Sequence, residues 1–178
     1  SSFEPKPIQV RQWFDRDGYR WVRFDDSGMG MNEEIVRNHL LKVGSSYYQT
    51  ASFRAEILRA IEKTQEDFVP ISRFGIGLLS CFIAGDRVEI SSFRYAQSGI
   101  EEQPIRLSLA GLHGFFTLQM PRLLPAPMPA PGEPEPGYRA DSGTSIAVRL
   151  DPGKERGALD LDRLLYKYIF CSPVPIKV

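Results

Sequence analysis

The sequence predicts an α+β fold, and three observations carry the prediction. Strand-length apolar runs open the chain, a further set of such runs fills its second half, and segments with helical spacing lie between them behind glycine turns. Residues 8–14 and 19–24 read as two strands. The Asp17-Gly18 pair between them readily takes the positive φ of a tight hairpin. The second strand runs directly into Asp25-Asp26-Ser27-Gly28-Met29-Gly30-Met31. Asn32 then caps a helix whose first turn carries Glu33 and Glu34, where negative charge suits the helix dipole. Ile35, Val36, His39 and Leu40 lie three or four apart along it, and Gly44-Ser45-Ser46 stops it.

Residues 52–63 repeat the helical spacing, with Phe53, Ile57, Leu58 and Ile61 on one stripe. The run Arg73-Phe74-Gly75-Ile76-Gly77 leads into an apolar stretch, residues 78–84, which is expected to be a buried helix. Strands are predicted at 87–93, 105–109, 115–120 and 145–150. Between the last two, residues 121–143 are dense in proline. Proline lacks the N–H and fixes φ, so this segment is expected to be a long, exposed, extended loop. Residues 161–170 predict a last helix, broken by Pro173-Val174-Pro175.

Composition narrows the function. At 178 residues, with 42% hydrophobic and 25% charged residues, the chain has the make-up of a soluble globular domain. Lys plus Arg equals Asp plus Glu at 22 each, so no net field draws it to nucleic acid or an anionic membrane. No apolar run reaches the roughly 18 residues of a membrane span. The opening Ser1-Ser2-Phe3-Glu4-Pro5 has neither the basic start nor the apolar stretch of a secretory signal, and a cytoplasmic location is expected. Cys81 and Cys171 stand apart from any metal-ligand spacing and read as reduced thiols. His39 and His113 are isolated, so no metal site is predicted. Trp13 and Trp21 read as packing residues.

Three glycine-bearing elements occur in order: Asp26-x-Gly28-x-Gly30-Met31, Phe74-Gly75-Ile76-Gly77, and Gly143-Thr144. Each alone is a common turn; together they match what a nucleotide requires. An adenine is selected by a carboxylate that accepts from its exocyclic amine in an otherwise apolar site. Asp26 ends a strand beside glycines that let backbone approach the ring, and Thr144 could hold the carboxylate or a bridging water. Phosphates require converging N–H groups, and a glycine loop opening onto a helix, as at Phe74, Gly75, Ile76, Gly77 and Leu78, supplies them. Arg73 and Lys42 add candidate positive charge. The chain has no GxxxxGK[ST] string, and neither GxG is followed by the third glycine of a dinucleotide fold. Ser80 sits in GLLSC rather than GxSxG, so no hydrolase nucleophile is indicated.

These elements resemble the boxes of the GHKL superfamily of ATP-binding domains. VRFDDSGMGMNEEIV resembles its second box, ISRFGIGLLSCFIAGDRVEISSF the following glycine box and strand, and DSGTSIAVRL the third. The FGxG form and the segment LLKVGSSYY are most similar to the heat-shock protein 90 branch. The resemblance covers most of residues 8–150. It implies a two-layer α/β sandwich, a mixed, mostly antiparallel sheet with helices on one face, over residues 1–150. Residues 151–178 would be a helix and linker toward a following domain. It also implies Asp26 as the adenine-reading carboxylate, Gly28 and Gly30 assisting, Met31 on the base and Thr144 in the same network. The N–H groups of Phe74–Leu78 would face the phosphates, with Asn38, Lys42 and Arg73 nearby and a lid over residues 42–73.

Where the family places a helix carrying its catalytic glutamate and magnesium-binding asparagine, this sequence opens directly on the first hairpin. The expectation is therefore a fragment that binds ATP or ADP, with hydrolysis and Mg2+ belonging to a longer parent. Client proteins and homodimerisation would belong to further domains. Two rivals stand beside this reading: the ATPase module of a non-chaperone effector or DNA-processing protein, and a degenerate interaction domain using the proline-rich loop.

Overall fold

A computed structural model describes residues 6–42, 50, 51, 55, 77–95, 101–111, 116–125, 137–153, 160–169, 172 and 174–178. The predicted helix over 52–63, apart from Ala55, and the residues Arg73, Phe74, Gly75 and Ile76 lie outside this set, as do Tyr47, Tyr48, His113, Cys171 and the centre of the proline-rich segment. The chain divides into two compact units, Ser1–Asn32 with Cys81–Val178, and Glu33–Ser80.

The first unit is built on a seven-stranded sheet. Its strands are β1 (Ile8–Phe14), β2 (Arg20–Asp25), β3 (Gly85–Phe93), β4 (Ile105–Ala110), β5 (Phe116–Gln119), β6 (Gly143–Leu150) and β7 (Ile176–Lys177). They lie in the order β5-β4-β3-β6-β2-β1-β7. All pairings are antiparallel except the short β1–β7 pairing, which is parallel. The mixed, mostly antiparallel sheet expected from the sequence is present. The strands fall within a residue or two of their predicted limits, and β7 is an addition: beyond the proline break, Ile176 pairs with Ile8.

Because side chains alternate along a strand, the register assigns each residue to a face. Val10, Val22, Val88, Ile90, Leu107, Val148 and Thr144 share one face through the pairs Val22↔Val148, Val88↔Val148 and Ile90↔Leu107. This face is apolar and holds most of the fully buried side chains. The helix at Leu161–Tyr168 packs here, with Leu161 against Val10 and Val22, flanked by Leu150, Leu165 and Ile176. Asp160 caps it by accepting from the Arg163 amide at 3.0 Å, as an N-terminal aspartate should. Through this packing and the β1–β7 pairing, Leu161, Leu165 and Ile176 meet the β1 and β2 side of the sheet.

The opposite face is polar. Arg11, Arg23, Asp25, Arg87, Glu89, Arg106, Ser108, Ser145 and Arg149 alternate with the apolar set. Glu89 and Arg106 are nonetheless buried, at 3% and 1% exposure. A buried charge must be partnered, and Glu89 accepts from Arg87 Nε and the Ser108 hydroxyl, both at 2.8 Å, with Arg106 alongside. Trp13 and Trp21 stack on this face with ring centroids 6.1 Å apart, in the packing role expected of them.

In the second unit, a short α-helical segment (Glu33–Ile35) widens into a π-helical turn (Val36–Leu40), closed by the Leu41 amide on the Val36 carbonyl at 3.0 Å. Ile35 and Val36 are buried, as the apolar spacing predicts, but the winding is wider than an α-helix. The helix Gly77–Ala84 forms where expected and crosses from the second unit into the first. It is not the buried helix anticipated, since none of its residues is buried and Ile83 is 76% exposed. An all-apolar helix is apolar on every side, so packing along one side leaves the rest open. Cys81, on this helix, is half-buried, and burial pushes its thiol above the usual range.

Candidate nucleotide site

The adjacent carboxylates Asp25 and Asp26 are separated by the same alternation. Asp25 is the last residue of β2 and falls on the polar face. It accepts from Arg11 at 2.9 Å, Arg23 at 2.8 Å and the Ser145 hydroxyl at 2.5 Å. Burial pushes its carboxyl up, but Ser145 and Arg23 outweigh that and hold it below the ordinary range. Every one of these partners is structural, so Asp25 is committed.

Asp26 lies one residue beyond the strand. Its amide donates to the Thr144 carbonyl at 2.8 Å, extending the β2–β6 ladder by one bond. Its carboxylate folds back over the turn, Oδ1 accepting from the Gly28 amide at 2.8 Å and the Thr144 amide at 3.3 Å. Among the described residues both bonds fall on Oδ1, which leaves Oδ2 as an acceptor for an outside donor. Asp26 and Thr144 are therefore brought together, though through the threonine backbone. The Thr144 hydroxyl instead meets Ser92 Oγ at 3.0 Å.

The rest of the turn is seated on β3. The Met31 amide donates to Ser92 Oγ at 2.8 Å, and the Tyr95 amide donates to the Met29 carbonyl at 2.7 Å. Gly30 has φ +67°, and a Cβ there would lie 1.9 Å from the Phe93 carbonyl oxygen. Gly143, with φ +123°, would place a Cβ 2.2 Å from the Asp26 carbonyl oxygen. Glycine is thus required at both positions by backbone angle and by space. The result is a rigid bracket, Asp26 to Met31, tied to the ends of β6 and β3.

The chain is similar to the chaperone protein HtpG of Chromobacterium violaceum, at 29% identity over 99% of this chain and 24% of that protein. The HtpG of Dechloromonas aromatica is 25% identical over 95% of this chain and 23% of its own length. That of Coxiella burnetii is 38% identical over 49% of this chain and 13% of its own length. The chain thus spans about a quarter or less of the curated relatives it matches. No family model matches it.

Of the other predicted site residues, Asn38 lies in the π-helical turn and Lys42 just beyond it, both in the second unit. Gly77 and Leu78 form the first turn of their helix. A Cβ at Gly77 would meet nothing within 4 Å, so its backbone is open to approach. Ser80 uses its hydroxyl on the Gly77 carbonyl at 2.6 Å, a local helix bond. Two participants escaped the sequence reading. Ser92 is fully buried under Met31 and Thr144, and its only sequence signal is a polar residue on the apolar side of β3. Arg139, from the end of the proline-rich segment, donates to the Asp26 carbonyl and gave no sequence signal. At that end of the segment Ala140 and Asp141 are exposed, as expected of the loop, but the Arg139 side chain is turned in, with 17% exposure.

Among the described residues, no group of three His, Cys, Asp or Glu side chains could hold a metal ion. No described helix is long and apolar enough to cross a membrane.

Proposed function

We propose that this chain is an adenine-nucleotide-binding region of a heat-shock protein 90-like chaperone. The observation that carries the proposal is the bracket from Asp26 to Met31. It holds a carboxylate with an available oxygen beside two glycines, in a chain whose similarity to HtpG proteins runs nearly end to end. Asp26 accepts from the adenine amine, Gly28 and Gly30 let the base approach, Met31 packs on it, the Thr144 amide holds the carboxylate, and Ser92 holds the Met31 amide. Phosphate binding by the N–H groups of Phe74 to Leu78, with Asn38, Lys42 and Arg73, belongs to the same reading, as does Mg2+ accompanying ATP. So do closure of a lid over residues 42–73, protein clients, dimerisation and a cytoplasmic location for the whole protein.

Isothermal titration with ADP and ATP in the presence of magnesium tests it, on wild type and Asp26→Asn. The expected result is binding by the wild type that weakens on the order of 100-fold in the variant, because an amide presents a donor to a donor. Equal binding by both proteins would remove Asp26 from the site. Absence of binding by the full-length protein would end the nucleotide reading.

A further inference from the structure

We propose that Arg139 is a positioning residue for the adenine-reading carboxylate, acting from the opposite, polar face of the sheet; the proposal rests on the nucleotide reading above. Asp26 is useful only if its carboxylate is held at a fixed place relative to Thr144, and the β2 ladder ends at its amide. From there the chain leaves the sheet, and the Asp26 carbonyl would otherwise mark the start of a free turn. Arg139 Nη2 donates to that carbonyl at 3.1 Å.

The remaining donors of the same guanidinium grip the partner segment. Nη1 donates to Ser145 Oγ at 2.6 Å, Nη2 also to the Ser142 carbonyl at 3.3 Å, and Nε to the Asp141 carbonyl at 3.3 Å. One planar fork therefore joins the turn that bears Asp26 to the strand start that bears Thr144. Asp25, 4.0 Å from Nη1, balances its charge. Charge-assisted bonds of this kind are roughly twice as strong as neutral ones, and only arginine offers the rigid fork. Gly143 makes the room: a Cβ there would stand 2.9 Å from Nη2 and 2.2 Å from the Asp26 carbonyl. The glycine before Thr144 thus serves the clamp as well as the strand.

The test measures ADP and GDP affinity, melting temperature and amide hydrogen exchange on the full-length protein. The proteins compared are wild type, Arg139→Ala, Arg139→Lys, Arg11→Ala, Asp26→Asn and the Asp26→Asn/Arg139→Ala double variant. Arg139→Ala is expected to weaken ADP about tenfold and GDP little, so that base selectivity falls by the same factor. Arg139→Lys should melt like wild type yet lose part of that selectivity. Arg11→Ala, which removes a different partner of Asp25, should lose none. Arg139→Ala should add little in the Asp26→Asn background, and in the single variant the Gly28 and Thr144 amides should exchange faster. An Arg139→Ala protein with wild-type selectivity would overturn the proposal, as would equal losses for ADP and GDP that track a fall in melting temperature. If the wild type binds no ADP, the nucleotide reading fails. The exchange rates then judge the clamp by themselves, and unchanged Gly28 and Thr144 amides would overturn it.

Discussion

The two ends of β2 carry turns with the same ingredients and opposite consequences. At the start, Asp15 and Gly18 close the hairpin to β1; at the end, Asp26, Gly28 and Gly30 build the bracket. Gly18 has φ +82° and Gly30 φ +67°, but a Cβ on Gly18 would meet nothing within 4 Å while one on Gly30 would strike the β3 backbone. The Asp15 carboxylate is consumed by its own hairpin: Oδ1 accepts from the Asp17 and Tyr19 amides and Oδ2 from Trp21 Nε1 at 2.8 Å. The Asp26 carboxylate spends one oxygen on the fold, and the bracket's other bonds reach more than 60 residues along the chain, to Ser92 and Thr144. The first turn is closed locally and has nothing to offer a ligand. The second is fixed by distant strands, and so can hold an acceptor still without using it up.

Substitutions can break this comparison, beginning with the largest effect. Gly30→Ala should destabilise the domain by roughly 3 kcal/mol or more, from positive φ plus a backbone collision that no rotamer relieves; urea denaturation measures it. A loss below about 1 kcal/mol would mean that the bracket shifts freely. Next comes Asp26→Asn, with its loss of nucleotide affinity on the order of 100-fold and a stability change under about 1 kcal/mol, since an amide oxygen can still accept from Gly28 and Thr144. Asp15→Asn should show the reverse, costing about 1–2 kcal/mol because its amide would face the Trp21 N–H, while ADP titration stays at wild type. Gly18→Ala should cost about 1 kcal/mol, the strain of positive φ alone. Were it as damaging as Gly30→Ala, the contrast between open and packed turns would fail.

The smallest effect is on acid stability. Burial pushes the Asp15 carboxyl up, but the Trp21 bond and the Tyr19 and Asp17 amides outweigh it and leave the group below its ordinary range. At Asp86 the bidentate bond from Arg149, 2.8 Å on each oxygen, lowers the carboxyl directly. A depressed folded pKa gives stability that is present above the unfolded value of about 4 and is lost as pH falls through the folded value. Stability should therefore decline below about pH 4, and Asp15→Asn should make that acid limb shallower in denaturant midpoints taken from pH 5 to 2. An unchanged slope would show that Asp15 binds protons alike in both states.

Much of the fold was readable because its signals are local. Strand-length apolar runs between turn residues marked β1 to β6, Asp17-Gly18 marked the hairpin, and proline marked the end of the last helix. Alternation even separates Asp25 from Asp26, since Trp21, Arg23 and Asp25 share one face and the next residue must leave it. The exposure of the helix at Gly77–Ala84 was not readable, because an unbroken apolar run carries no record of which side is packed. Nor was β7, whose two residues are held by Ile8 and Gln9 rather than by any pattern of their own.

The sequence by itself determined that the segments of β1 to β6 become strands, where the turns between them fall, and that Asp26 is a carboxylate followed by glycines at the end of a strand. Only the tertiary structure decided what that carboxylate is tied to. Ser92, Arg139, Gly143 and Thr144 converge on the bracket because β6 lies between β2 and β3 in the sheet. Hydrogen bonds between segments more than 100 residues apart leave no periodicity in the chain. They depend on strand order and register, which form only when the apolar face is buried.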